Sequence, residues 1–118
     1  MKRIEIEVLG GEAALKAFAK TWRQARTGKH VVPRIAFGSL SELFSTVTEK
    51  RLALIRHVAA HGELNTRQLA LALRRDYKNV HSDVRALVET GLLDKDAHGR
   101  LNTPFDEIVI RAGLRKAA

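Results

Sequence analysis

The side chains able to do chemistry gather between Arg67 and Arg100. From Asp76 onward the chain reads as a helix, and at 100° per residue Lys78, Ser82 and Arg85 share one side of it. Asn79 and His81 flank them, while Val80, Val84 and Leu87 form an apolar stripe opposite. Such donors and acceptors are the types that read base edges in a DNA major groove, which is wide enough to admit a helix. Arg67, Arg74 and Arg75 precede this helix, and Lys95, His98 and Arg100 surround a later turn. Cations in those places suit phosphate oxygens or the adjacent minor groove. Tyr77 lies nearer the apolar stripe than the polar face, so packing and phosphate contact stand as equal alternatives for it. Asp83 is expected to pair with a nearby Arg. Asp76 occupies the helix start, where a phosphate would otherwise sit, and Arg74, Arg75 and Lys78 outweigh its charge.

Other chemistries fail on spacing. His57 and His61 stand four apart, a spacing that can hold zinc, but Val58 takes the place where the metalloprotease pattern has its Glu. The pair reads as structural, with His61 in the last helical turn, where it complements the helix dipole. Gly10-Gly11 between a strand and a helix suggests a phosphate loop only weakly. Gly28-Lys29-His30 is no Walker motif, and Glu12 would repel phosphate at the helix start. No Ser/His/Asp grouping stands out. With no cysteine, disulfides, thiolate metal sites and Cys nucleophiles are excluded. The expectation is a non-enzyme without cofactor or metal.

Charge points the same way. The 118 residues carry 21 Lys and Arg against 13 Asp and Glu, a formal charge of +8 that favours an anionic partner. Between Ala13 and Leu40 there is no acid at all, yet Lys16, Lys20, Arg23, Arg26, Lys29 and Arg34 are present. That set reads equally as a second electrostatic footprint or as the solvated face of a helix. Only 5% of residues are aromatic, which argues against single-strand or RNA binding by base stacking. The longest apolar run is Leu69 to Leu73, too short for a bilayer, so no membrane partner is expected and the expected location is cytoplasmic.

The elements that must position these residues follow from periodicity. Ile4, Ile6 and Val8 alternate with Arg3, Glu5 and Glu7, which predicts a half-buried strand. Leu15, Phe18, Trp22 and Ala25 predict an amphipathic helix that Gly28 stops. A short strand is expected at Arg34–Phe37, then a helix capped by Ser39 or Ser41. Thr48 opens a helix with Leu52, Ile55, Val58 and Ala59 inward, closed at Gly62. Asn65, with Gln68 as its capping-box partner, opens a short helix with Leu69, Ala70 and Leu73 inward. Asp76 caps the helix that carries the polar face, and Gly91 ends it. Leu92-Leu93, a turn at Asp96–Gly99 and Arg100–Asn102 predict a hairpin. A last strand is expected over 107–111, pairing with the first.

Helix, short helix, tight turn, longer helix and hairpin is the order of a winged helix-turn-helix. The fold class is thus α+β: a winged helix-turn-helix over 39–112, an N-terminal strand-helix extension over 1–38, and a basic tail over 113–118. The extension, with Ile4, Ile6, Val8, Phe18 and Trp22, is the expected dimer or partner contact.

The run Arg75-Asp76-Tyr77-Lys78-Asn79-Val80-His81, continued by Leu87, Gly91-Leu92-Leu93, the His98-Gly99-Arg100 turn and Pro104–Ile108, resembles winged-helix regulators of the MarR/ArsR type. It is similar in particular to short predicted regulators from bacteria and archaea. The likeness spans roughly residues 48 to 110. It implies double-stranded DNA binding and repression by a homodimer. Some such regulators are encoded beside a toxin gene, so an antitoxin-type module that binds a toxin, with DNA binding secondary, is the alternative it implies. The Cys and His metal sites of some ArsR-type sensors have no counterpart here.

Overall fold

In a computed structural model, which describes residues 2–8 and 32–113, strand β1 (Arg3–Val8) is the middle of a three-stranded sheet. Strands β2 (Arg34–Phe37) and β6 (Glu107–Arg111) flank it, both parallel to it. The register sets Ile4 beside Ile108 and Ile6 beside Ile110, so the expected pairing of the first and last strands occurs. Alternation alone put Glu5 on a solvent face; instead it is as buried as Ile4. The reason is its central position: Arg34 Nε lies 3.3 Å from one carboxylate oxygen and Arg111 Nη2 3.4 Å from the other. A carboxylate clamped between two guanidinium groups retains partners when neighbouring strands strip its water. Parallel strands need a long crossover. Residues 9–33 provide it between β1 and β2, and the helix predicted over Leu15–Ala25, with its basic residues and Trp22, falls outside the described residues, as does most of the basic tail.

The same unit includes α1 (Leu40–Thr46) up to Ser45. Of the two candidate caps, Ser39 acts: its Oγ accepts from Glu42 N at 3.1 Å, while Glu42 Oε2 accepts from Gly38 N at 2.9 Å. Leu43 is buried and Phe44 exposed.

A second unit runs from Thr46 to Asp106. In α2 (Glu49–His61), Thr48 caps the start by accepting from Arg51 N, and Gly62 ends it at φ 57°, a conformation glycine adopts without strain. Its inward residues are Leu54, Ile55 and Val58. The predicted stripe was turned too far: Leu52 is half-buried and Ala59 exposed, while Leu54 is fully covered. Apolar residues stand at 52, 53, 54, 55, 58, 59 and 60, so periodicity could not choose between faces.

Helix α3 (Thr66–Leu73) opens with the predicted capping box: Asn65 Oδ1 accepts from Gln68 N at 2.8 Å and Gln68 Oε1 from Asn65 N at 3.0 Å. It closes on Arg74 in the left-handed region at φ 54°. After that turn, Asp76 caps α4 (Tyr77–Thr90) by accepting from Asn79 N. Leu69 and Ala70 are buried and α3 packs against α4, whose Val80, Val84 and Leu87 complete the core. Asn65→Ala removes the side-chain acceptor for Gln68 N while leaving the backbone donor to Gln68 Oε1, and is expected to cost about 1 kcal/mol, lowering Tm by roughly 4–8 °C in thermal unfolding followed by circular dichroism.

The hairpin differs from expectation in detail. Leu92 and Leu93 are spent closing α4, both amides donating to Leu87 O, with their side chains in the core. The first strand therefore starts later, as β4 (Asp94–Lys95), antiparallel to β5 (Arg100–Asn102). On its other side β5 pairs with β3 (Leu64–Asn65), a strand too short to leave a periodic signal. Leu101, central in this small sheet, is buried with Leu92 and Leu93. The architecture is α+β: among the described residues, four helices and two small sheets. None of those helices is long and apolar enough to cross a membrane.

Candidate functional site

The cap at Asp76 fixes where α4 begins, and its buried stripe fixes how it is turned. Together they leave Lys78, Asn79, His81, Ser82 and Arg85 exposed on one continuous face. Among the described residues Lys78 and Ser82 have no side-chain partner. Arg85 reaches Glu89 at 3.4 Å, but both side chains are largely in solvent, so the pair is worth little and opens readily. Glu89 is an acid on the polar face that the sequence reading left out, although the i, i+4 spacing to Arg85 signals it.

Tyr77 lies at the lip of this face. Its angle on the helix left packing and phosphate contact equal; it is the first helical residue and remains 40% exposed. The Arg67 guanidinium stands 4.8 Å from its ring centroid and the His81 ring 5.8 Å away. Arg67 on α3 is thereby drawn beside the start of α4, where the cation faces the ring and still meets solvent. Arg74 is exposed on the turn between the helices.

Arg75 is placed differently. Its Nη2 donates to Asp83 Oδ2 at 2.7 Å, while Arg51 Nε of α2 donates to Asp83 Oδ1 at 3.0 Å. Arg51 Nη1 also donates to Thr46 O. Burial alone would raise the Asp83 carboxyl, but hydrogen bonds from Arg75 and Arg51 outweigh it and hold the group below its ordinary range. The expected Asp83–Arg pairing thus exists, with two guanidinium groups. Arg51 stands 32 residues away in sequence, a distance over which no spacing rule could have found it. These three residues, with Thr48, Lys50, Asn79 and Ser82, line an open cleft of about 250 Å³. Arg75, expected as a phosphate contact, is here mainly a strut between turn and helix.

The hairpin supplies the remaining cations. Lys95, His98 and Arg100 are exposed around the turn. Asp96, an exposed acid that partly offsets them, bonds the backbone of the turn: Oδ1 accepts from Arg100 N at 2.9 Å and His98 N at 2.8 Å. The Arg100 amide first, then that of His98, holds its carboxyl below the ordinary range. Lys95 also lines a groove of about 310 Å³ with His81, Val84, Arg85, Val88 and Glu89, so helix face and hairpin border one depression.

The two histidines of α2 stack with centroids 4.1 Å apart, and His61 Nδ1 lies 3.1 Å from His57 O. No group of three or more potential metal ligands occurs among the described residues. The arrangement as a whole offers exposed hydrogen-bonding side chains on a rigid helix, ringed by cations on the neighbouring helix, turn and hairpin.

No curated protein and no solved structure matches the chain. The family model HVO_A0114 matches residues 46–110, which takes in the whole second unit and most of β6. That stretch is more than half of the protein, and it places the chain in the HVO_A0114 family.

Proposed function

We propose that this protein is a sequence-specific double-stranded DNA-binding regulator, a repressor, whose second unit works as a winged helix-turn-helix. In this reading α4 enters the major groove and the β4–β5 hairpin is the wing, lying along the backbone. The observation that carries it is the two-sidedness of α4. Val80, Val84 and Leu87 are sealed in the core, so Lys78, Asn79, Ser82 and Arg85 project outward together from a helix capped at both ends.

The cations divide by task. Arg67, Arg74, Lys95 and Arg100 are placed for phosphates, which position a protein on DNA, whereas the α4 face is placed for base edges, which specify sequence. Arg75 acts through Asp83. His81 and His98 flank the two sets. One such unit reads few base pairs, so two copies on a palindromic operator are expected, their recognition helices about 34 Å apart or a multiple of that.

Titrating the purified protein against the DNA upstream of its own gene and against random DNA, at two salt concentrations, tests the reading. Tighter binding to the upstream DNA, with affinity falling steeply as salt rises, is the expected result. Equal binding to both sequences, or none to either, would overturn it. In the same assay Lys95→Ala should weaken binding to both DNAs alike and lower the salt slope by roughly 1. A loss confined to the upstream DNA would show that Lys95 reads bases instead.

A further inference from the structure

Strand β6 has β1 on one side and, among the described residues, no strand on the other. Among the described residues its outer row of amides and carbonyls thus lacks a strand partner, the condition natural sheets usually guard against. The guard is present on the opposite edge: β2 is preceded by Pro33, and laid antiparallel against itself it would set Arg34 across from Phe37. Strand β6 reads Glu107-Ile108-Val109-Ile110-Arg111, and its charges are a palindrome of opposite signs. Reversed about Val109, it sets Glu107 across from Arg111 of a second copy at both ends. Ile108 and Ile110 then face each other between them. Glu107 is exposed, the Arg111 side chain is 59% exposed and Ile110 44%, so the groups this pairing would use are accessible.

We propose that β6 is a dimer edge: two copies of this chain join by antiparallel β6–β6 pairing about a two-fold axis at Val109. The result is one continuous sheet in the order β2-β1-β6-β6-β1-β2. A two-fold axis demands a patch complementary to itself, and this strand meets the demand in backbone, charge and shape. Cross-strand ion pairs and β-branched pairs are the contacts that stabilise antiparallel strands. The isoleucines Ile4, Ile6, Ile108 and Ile110 lie on one sheet face by register, so pairing extends a single apolar stripe across the axis. The inference rests on the two-copy part of the function proposed above and not on its DNA part.

The chain has no cysteine, so Val109→Cys introduces a single thiol on the axis itself. Directly opposed residues in antiparallel strands have Cα atoms about 4.5–5.5 Å apart, within the range a disulfide spans. Light scattering of the unmodified protein at micromolar concentration is expected to give twice the chain mass. Under mild oxidation Val109→Cys should convert mostly to a covalent dimer that reductant reverses, while Ala36→Cys, exposed on β2, should not. A monomeric mass for the unmodified protein, or Val109→Cys cross-linking no faster than Ala36→Cys, would overturn the proposal. A monomer that still binds its upstream DNA would remove this inference and leave the DNA reading standing. A dimer cross-linked at Val109 that ignores DNA would do the reverse.

Discussion

Replacing Lys78 and Arg85 together by alanine is expected to abolish most of the preference for the operator while leaving thermal stability nearly unchanged. Both side chains project into solvent from the face of α4 opposite the core, so their removal opens no cavity. The one ion pair lost, Arg85–Glu89, is solvent-exposed and contributes little to folding. On DNA the account is different. A side chain bonded to a base edge discriminates by about 1–3 kcal/mol, so two such contacts amount to roughly 2–6 kcal/mol, about thirtyfold to twenty-thousandfold in affinity for the operator. Loss of Arg85 also leaves Glu89 without its counter-charge on the same face. Affinity for random DNA should fall much less, because Arg67, Arg74, Lys95 and Arg100 remain. Binding isotherms on both DNAs, with melting curves of both proteins, separate the cases. A doubly substituted protein that binds the operator like the unmodified one would mean that α4 does not lie in the groove.

That expectation was legible in the sequence because it depends on local signals. The buried stripe Val80-Val84-Leu87, the caps Asn65 and Asp76 and the stop at Gly91 each act within a turn of their own position. Local rules place α4 and its polar face without knowledge of the rest. Where the answer depended on remote partners, the sequence was silent or misleading. Glu5 follows a solvent-facing alternation, yet it is buried in the central strand with Arg34 and Arg111 paired to its carboxylate from either side. Strand β3 exists because Leu101 and Arg100 give two residues a partner. For Tyr77 the helical angle left packing and phosphate contact equal, and the structure leaves the ring 40% exposed beside Arg67. Among the predicted site residues, the structure gathers Lys78, Asn79, His81, Ser82 and Arg85 on one face. It sets Arg67 and Tyr77 beside that face and turns Arg75 to a structural partner.

That partner carries the second large effect. Asp83→Ala is expected to destabilise the second unit by about 2–3 kcal/mol. Losing one member of a buried ion pair costs about 3–5 kcal/mol, and this triad is discounted because all three side chains keep some solvent contact. For a unit of this size the fall in Tm is roughly 10–20 °C. The effect should depend on pH in a defined direction. The Asp83 carboxyl is held below its ordinary value of 3.8, so its contribution is complete above about pH 5 and is lost as pH falls through the folded value. The gap in Tm between the two proteins should therefore be constant from neutral pH to about pH 5 and close under stronger acid. A gap that stays open in acid would mean that Asp83 matters for packing rather than charge. The DNA consequence is opposite in sign for the two kinds of binding. Loss of the Asp83 carboxylate raises the net charge by one unit and leaves the Arg75 guanidinium without its counter-charge, which should tighten binding to random DNA and steepen its salt dependence. Operator binding should weaken, because α4 is no longer tied to α2 and to the turn before it. A single substitution that strengthens non-specific binding while it weakens specific binding separates a positioning strut from a phosphate contact, whose loss would weaken both.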